Sequence, residues 1–173
     1  EIYTLSLHDA LPISIYFNEI GVIIANDGSD IQLTDEFLES YPFDIQYIIA
    51  PHNGVSATRN VCLDAAVADY VMFCDADDMF CNVCGLWLIF REIDMNGGFD
   101  SLTSVFVEET RTPDTKEIIY INREMDSTFV HGKVHRRQYL LDNNIRWNPN
   151  LTIHEDSFFN IQCSNLSQNV KYC

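Results

Sequence analysis

Residues 69–78 read DYVMFCDADD, and this stretch decides the fold class. A short apolar run leads without a break into three carboxylates, at Asp75, Asp77 and Asp78. A continuous apolar run of this length is typical of a strand that is covered on both faces. Ligands of an open parallel sheet bind beyond the carboxyl ends of its strands. We therefore expect residues 69–74 to form a strand whose end carries a binding site.

Strand and helix patterns alternate on both sides of this stretch. The predicted strands are residues 21–25, 45–50 and 69–74, and the predicted helices are residues 33–41, 56–66 and 86–93. Thr34 and Ser56 are suitable N-cap residues for the first two helices, and Gly97 is a suitable C-cap for the third. This alternation predicts an α/β fold with parallel central strands.

The second half of the chain has a different pattern. Residues 101–108 and 117–121 have strand character and are joined by the turn-forming residues 112–115, which predicts a hairpin. Residues 133–143 have apolar positions that predict a helix, and a last helix is expected to start near His154. A further strand is expected to begin at residue 170. No linker in the sequence divides the chain into two domains.

Composition excludes several classes of function. The chain has 173 residues and a formal net charge of −16, which argues against binding to nucleic acid or to an anionic membrane. The longest apolar run without a charge, residues 79–90, is well short of the ~20 residues that span a bilayer. Six cysteines occur without a secretory signal, which favours reduced thiols in the cytoplasm. Any contact with the inner face of the membrane would involve parts that are missing here.

The first residues differ from the rest of the chain. Residues 1–14, EIYTLSLHDALPIS, show no clean strand alternation and resemble a translated sequencing-adapter read-through. We expect residues 1–14 to be non-native and residues 15–173 to form a partial domain. The opening strand is then missing before Ile15, and further elements are missing after Cys173.

The acidic cluster after residue 74 has two interpretations. Carboxylates this close repel one another unless a cation shares them, and hard oxygen ligands suit Mg²⁺ or Mn²⁺. The alternative is a solvated acidic turn before the next helix, since Asp is favourable at helix N-termini. The apolar strand that leads directly into the cluster favours the binding site.

Four ordered elements resemble the signature of the family 2 glycosyltransferases, which have the GT-A fold. The elements are DGSD at residues 27–30, SATRN at residues 56–60, DYVMFCDADD at residues 69–78 and HEDSFF at residues 154–159. Residues 130–147 also resemble the stretch that precedes the last element in bacterial members. The resemblance covers roughly residues 16–172. It implies a Rossmann-like mixed sheet with helices on both faces, incomplete at the N-terminus.

The resemblance also implies a role for individual residues. Asp77 and Asp75 would hold Mn²⁺ or Mg²⁺, and Asp156 would be the general base, with Glu155 as the alternative. The residues implied to bind the nucleotide are Asn26, Asp27, Arg59 and Asp75. The family usually has Asp at the position of Asn26, whose amide offers a different hydrogen-bonding pattern and makes a uridine preference less secure.

The implied reaction is a metal-assisted, inverting transfer of a sugar to an acceptor hydroxyl. The donor would be a nucleotide-diphosphate sugar, first of all a UDP-sugar, and the acceptor a saccharide or another hydroxyl compound. Such a hexosyltransferase-like enzyme would act in bacterial or phage polysaccharide or glycoconjugate synthesis. A protein that keeps the fold without activity is a second possibility.

A haloacid-dehalogenase-like phosphatase is a third possibility, because the active-site sequence of that class also begins with a strand followed by DxD. The phosphatase motif has Thr or Val at the position where this chain has Met79. It also contains nothing that corresponds to the SATRN and HEDSFF elements. Cys81 and Cys84 have CxxC spacing but no second ligand pair for zinc. The histidines are interpreted as surface or packing residues, whereas Trp147 could stack on a sugar.

Overall fold

The structure is a computed structural model, and it describes residues 17–81 and 84–173. The expectation about residues 1–14 lies outside these residues. The strands are β1 (Gly21–Asp27), β2 (Asp44–Ala50), β3 (Tyr70–Met72), β4 (Ser101–Thr103), β5 (Phe106–Arg111), β6 (Ile118–Arg123), β7 (Lys133–Arg136) and β8 (Val170–Tyr172). The α-helices are α1 (Asp35–Glu39), α2 (Val55–Ala65), α3 (Gly85–Asn96), α4 (Arg137–Asp142) and α5 (Glu155–Leu166). A short 3₁₀ helix, Phe17–Glu19, precedes β1.

The strands form one mixed sheet and two strand pairs. β1 and β2 are parallel, with Val22 opposite Ile45. The four-stranded sheet has the order β3-β7-β4-β8, in which β7 is antiparallel to β3 and β4, and β8 is parallel to β4. β5 and β6 form the expected hairpin. The mixed α/β architecture is confirmed; parallel pairing is found for β1 and β2, whereas β3 lies beside an antiparallel strand.

Helices cover both faces of the four-stranded sheet. Successive side chains of a strand point to opposite faces. On β7, Val134 packs with Ile89 of α3, whereas the ring of His135 contacts Phe159 of α5 at a centroid distance of 5.5 Å. None of the described helices is long and apolar enough to cross a membrane.

Two of the predicted elements in the second half are wrong in their extent. Residues 133–136 form β7 rather than the start of a helix, because this segment is paired on both sides, with β3 and with β4. The helix begins only at Arg137. Residues 101–108 divide into β4 and the start of β5, with a break where the Ser104 N–H donates to the Gly132 carbonyl at 2.8 Å.

The predicted helix caps have mixed outcomes. Thr34 caps α1 as predicted, since its hydroxyl accepts from the Phe37 N–H at 3.2 Å. Gly97 ends α3 in the left-handed conformation that its sequence position indicates. The prediction for Ser56 is wrong: α2 is capped by Gly54, and Ser56 is buried within the helix.

An aromatic stack in the core joins the end of β3 to α5. Trp147 is 1% exposed, and its ring lies parallel to that of Phe159 at 4.1 Å. Phe73, the residue after β3, contacts both rings edge-on. Trp147 is therefore a core residue and does not lie where it could stack on a sugar. The stack fixes the end of β3 against α5, and the acidic loop follows from that point.

Candidate functional site

A cleft of about 620 Å³ lies where the loop after β3 meets the start of α5. Its other walls come from α2 and from residues 128–131. The predicted site residues that line it are Arg59, Asp75, Asp77, Glu155 and Asp156. These residues are up to 97 positions apart in the chain, and the fold brings them to one cleft.

Arg59 of α2 is the central cation of the cleft. It is only 5% exposed. Its Nη1 donates to Asp156 Oδ1 at 2.6 Å, and its Nη2 donates to both carboxylate oxygens of Asp75, at 2.7 and 3.0 Å. Burial alone would lower the pKa of Arg59, but the two carboxylates outweigh it and raise that pKa. Arg59 therefore stays charged and holds two acidic side chains together.

Asp156 lies in the first turn of α5 and is anchored through both oxygens. Oδ1 accepts from Arg59, and Oδ2 accepts from the Val130 backbone N–H at 2.9 Å. The partial positive charge at the start of a helix also favours a carboxylate there. The side chain of its neighbour Glu155 makes no hydrogen bond or ion pair with any described residue.

The acidic loop after β3 is closed by a turn. The Asp78 N–H donates to the Asp75 carbonyl at 3.1 Å. Asp78 also forms an ion pair with His131, its Oδ2 lying 2.7 Å from Nδ1, and this close carboxylate is the largest cause of the raised pKa of His131. Sequence analysis placed His131 with the surface and packing residues, although it lies in the stretch 130–147 that resembles bacterial family members. The structure places it in the wall of the cleft.

The donor set of this loop fits a hard divalent cation. Asp77 is exposed, lines the cleft and has no hydrogen bond or ion pair within residues 17–81 and 84–173. Asp75, Asp78 and His131 each place one ligand atom within 4.8 Å of the others. Carboxylate oxygens suit Mg²⁺ and Mn²⁺, and imidazole is compatible with a transition metal. Asp78 and His131 extend the donor set beyond the two predicted ligands.

Asn26 is not among the residues that line the cleft. It is fully buried at the end of β1. Its amide nitrogen donates to the Ile31 carbonyl at 3.1 Å and to the Tyr47 hydroxyl at 2.9 Å, and its oxygen accepts from the Ser29 N–H at 2.6 Å. These bonds hold the loop after β1, and a role in nucleotide binding stays a prediction.

Asp27 also lies outside the lining of the cleft. Its two carboxylate oxygens accept from the backbone N–H groups of Asn53 and Gly54, at 3.0 and 3.1 Å. The bonds tie the end of β1 to the loop after β2, just before α2 begins. Its nucleotide-binding role likewise stays a prediction.

Comparison with known proteins adds independent information. Residues 5–94, more than half of the chain, match the family model described as Glycosyl transferase family 2. Succinoglycan biosynthesis protein ExoM of Rhizobium meliloti (strain 1021) is 36% identical over 72 residues, which are 40% of this chain and 22% of ExoM. Minor teichoic acid biosynthesis protein GgaB of Bacillus subtilis (strain 168) is 35% identical over 69 residues, 38% of this chain and 8% of GgaB.

The fold is also similar to that of a solved structure. S. aureus TarS 1-349 superposes with a TM-score of 0.68 and 20% sequence identity, over 96% of this chain and 53% of that chain. The chain thus corresponds to less than a quarter of either curated relative and to about half of that crystal structure.

Proposed function

The chain belongs to the family 2 glycosyltransferases, and on this premise we propose that it transfers a sugar from a nucleotide-diphosphate sugar to an acceptor hydroxyl. The observation that carries the proposal is the cleft itself. It places Asp75 and Asp77, on the loop after β3, opposite Asp156 at the start of α5. The two carboxylates of the loop would be ligands for a cation that in turn binds the diphosphate, and Asp156 would be the base.

The donor side of the site is proposed to consist of the acidic loop with Asn26 and Asp27, and Arg59 binds Asp75 of that loop. Asp77 and Asp75 would hold Mn²⁺ or Mg²⁺, whose chemistry there is to neutralise the charge that develops on the diphosphate. TarS 1-349 has been crystallised in complex with UDP-GlcNAc, which supports a UDP-sugar as the donor. The names of ExoM and GgaB support a role in the synthesis of a bacterial polysaccharide.

On the acceptor side, Asp156 is proposed to be the general base. Its carboxylate takes the proton of the acceptor hydroxyl as that oxygen forms a bond to the anomeric carbon. The bond from this carbon to the diphosphate oxygen breaks, and its electron pair leaves with the diphosphate. Attack from the face opposite the leaving group inverts the anomeric configuration. Glu155 is the alternative base, since it lines the same cleft.

The phosphatase alternative is less compatible with the site. Asp75, the first Asp of DxD, would have to be a nucleophile in that enzyme class. Both of its carboxylate oxygens accept hydrogen bonds from Arg59. The SATRN and HEDSFF elements, which bring Arg59 and Asp156 to the cleft, also have no place in that class.

The proposal is tested by donor and acceptor screening. The protein is incubated in MnCl₂ with UDP-glucose, UDP-galactose, UDP-GlcNAc or UDP-GalNAc and with p-nitrophenyl glycosides as acceptors. We expect one donor to release UDP and to add its sugar to an acceptor, as detected by mass spectrometry. Hydrolysis of p-nitrophenyl phosphate without transfer from any donor would instead indicate a phosphatase.

A further inference from the structure

One guanidinium links the two sides of the cleft. Arg59 binds Asp75 through Nη2 and Asp156 through Nη1, with all three donor–acceptor distances between 2.6 and 3.0 Å. Asp75 belongs to the loop after β3, and Asp156 belongs to α5. The two carboxylates would repel each other without the cation between them. Arg59 therefore sets the distance between the donor loop and the proposed base.

The position of Arg59 is itself fixed by the core. Its guanidinium lies over the ring of Trp147 at 4.4 Å, and that ring is stacked on Phe159 of α5. The next residue, Asn60, exchanges two hydrogen bonds with the Trp147 backbone, at 2.8 and 3.0 Å. Two consecutive residues of α2 thus hold Trp147. The side chain of Asn60 binds the Trp147 backbone, and Arg59 lies over the Trp147 ring. A guanidinium held in this way has little freedom to follow a moving ligand.

Asp156 keeps its capacity to accept a proton while it is held. A carboxylate offers about four lone-pair sites, two on each oxygen. Arg59 takes a site on Oδ1 and the Val130 N–H takes a site on Oδ2, which leaves a site on each oxygen for a hydroxyl. The two bonds fix the plane of the carboxylate. Orienting a catalytic group in this way can raise kcat many-fold.

We propose that Arg59 is a positioning residue, which orients Asp156 for proton transfer and ties it to the donor loop. The inference rests on the proposed function, because it takes Asp156 to be the base. It differs from the direct contact with the nucleotide that the family resemblance implies for Arg59. A direct contact would act on donor affinity, whereas positioning acts on turnover through Asp156.

The test is a double-mutant cycle on the protein with the donor that it uses. Arg59→Lys keeps the charge but loses the forked donors, so it cannot bind both carboxylates with the same geometry. We expect Arg59→Lys to lower kcat by ~10²-fold, the scale of a misplaced catalytic group, and to change the donor Kd much less, because the lysine keeps a positive charge beside Asp75. Combined with Asp156→Asn, it should lower kcat no further than Asp156→Asn alone, because both changes remove one function.

Two further variants support the interpretation. Arg59→Gln, which has no charge, should lower kcat more than Arg59→Lys, so that the lysine gives a partial rescue. Arg146→Lys is the matched control, because Arg146 pairs with Asp64 of α2 at 2.6 Å outside the lining of the cleft. It should leave kcat unchanged. Thermal unfolding of each variant shows whether it is folded. If one Arg59 variant does not fold, the double-mutant cycle with Asp156→Asn is carried out with the other.

The outcomes separate this inference from the proposed function. If Arg59→Lys raises the donor Kd while kcat is retained, and the losses multiply in the double variant, Arg59 contacts the donor and the positioning role is wrong. The proposed function stands in that case. If Asp156→Asn retains normal kcat, the base assignment and the positioning role both fail. If the unmodified protein transfers sugar from no donor, the proposed function itself is wrong.

Discussion

Asp77 and Asp156 line the same cleft but differ in what holds them. Asp77 is exposed and has no hydrogen bond or ion pair in the part of the chain that the structure describes. Asp156 is held through both of its oxygens. A free carboxylate can turn toward a cation, whereas a held one keeps a fixed direction. This contrast agrees with the proposed roles, in which Asp77 is a cation ligand and Asp156 is the base.

The first prediction concerns Asp77. Asp77→Asn replaces a hard anionic ligand by a neutral amide, so it should weaken Mn²⁺-dependent binding of UDP-GlcNAc by ~10-fold or more. Calorimetric titration with and without Mn²⁺ measures the effect. Asp114→Asn, in the exposed turn between β5 and β6, is the matched control and should bind normally. Unchanged metal-dependent binding in Asp77→Asn would remove Asp77 from the cation site.

The second prediction concerns Asp156. Asp156→Asn keeps the shape of the side chain but cannot take a proton, so turnover should fall by ~10²–10⁴-fold while the donor Kd is retained. Initial rates of UDP release and donor titrations measure the two quantities. If Asp156→Asn retains its turnover and Glu155→Gln loses it, Glu155 is the base.

Several site residues could be predicted because they belong to motifs with a defined place in the fold. Arg59, Asp75 and Asp156 lie in the SATRN, DxD and HEDSFF elements, and all three line the cleft. His131 lies in residues 130–147, for which the resemblance implied no role of a single residue. It reaches Asp78 only because residues 128–131 fold against the loop after β3, and no local pattern in the sequence encodes that contact.

At the scale of elements, Gly132 controls how β7 begins. It has a φ of +65°, and a Cβ added there would lie 2.8 Å from Ser104 Oγ and 3.0 Å from the Ser104 carbonyl oxygen. Ser104 and Gly132 are joined by two hydrogen bonds, from the N–H and the hydroxyl of Ser104 to the Gly132 carbonyl. The close approach needs a residue without a side chain.

The third prediction is therefore that Gly132→Ala destabilises the protein. A strained left-handed backbone costs ~1–3 kcal/mol, and displacement of Ser104 would add to this cost. Urea unfolding followed by circular dichroism measures the free energy of unfolding. Gly21→Ala is the control, because no atom lies within 4 Å of the added Cβ and its φ is ordinary. Equal stability of the two variants would contradict the argument.

The extents of the elements show where local pattern stops being informative. β1, β2 and β3 were predicted because each is an apolar run before turn-forming residues. β7 was not, because its four residues include Lys133 and His135, which are polar and yet 2% and 1% exposed. Pairing with β3 and β4 stabilises this strand, and both partners are distant in sequence. Tertiary context outweighed the apolar spacing that suggested a helix.

At the scale of the whole molecule, His135 links stability to pH. Its ring is fully buried, and its Nδ1 lies 2.9 Å from the Ser101 hydroxyl. Burial is the main cause that lowers the pKa of His135 to about 3, and nearby Lys133 lowers it further. The folded protein thus keeps this ring neutral, whereas the unfolded chain protonates it below about pH 6.5.

The fourth prediction follows from the sign of this shift. Because the unfolded state binds the extra proton, stability should fall as the pH decreases from about 6.5 toward about 3. The contribution of His135 is at most about 1.4 kcal/mol for each pH unit. His135→Gln, which can still pair with Ser101, should reduce the pH dependence of the melting temperature in this range. Carboxylates titrate in both proteins, so their effect on the melting temperature cancels when the two are compared. Identical slopes of melting temperature against pH would contradict the prediction.

The stack of Arg59, Trp147 and Phe159 also has an optical consequence. The chain has only two tryptophans, and the other, Trp87, lies on α3. Indole emission responds to a charge placed over the ring, and the Arg59 guanidinium is such a charge at 4.4 Å. In a Trp87→Phe protein, tryptophan emission excited above the tyrosine absorption should come from Trp147 alone and change when Arg59 shifts. The molecule thus carries an intrinsic fluorophore that reports events in its cleft without an added label.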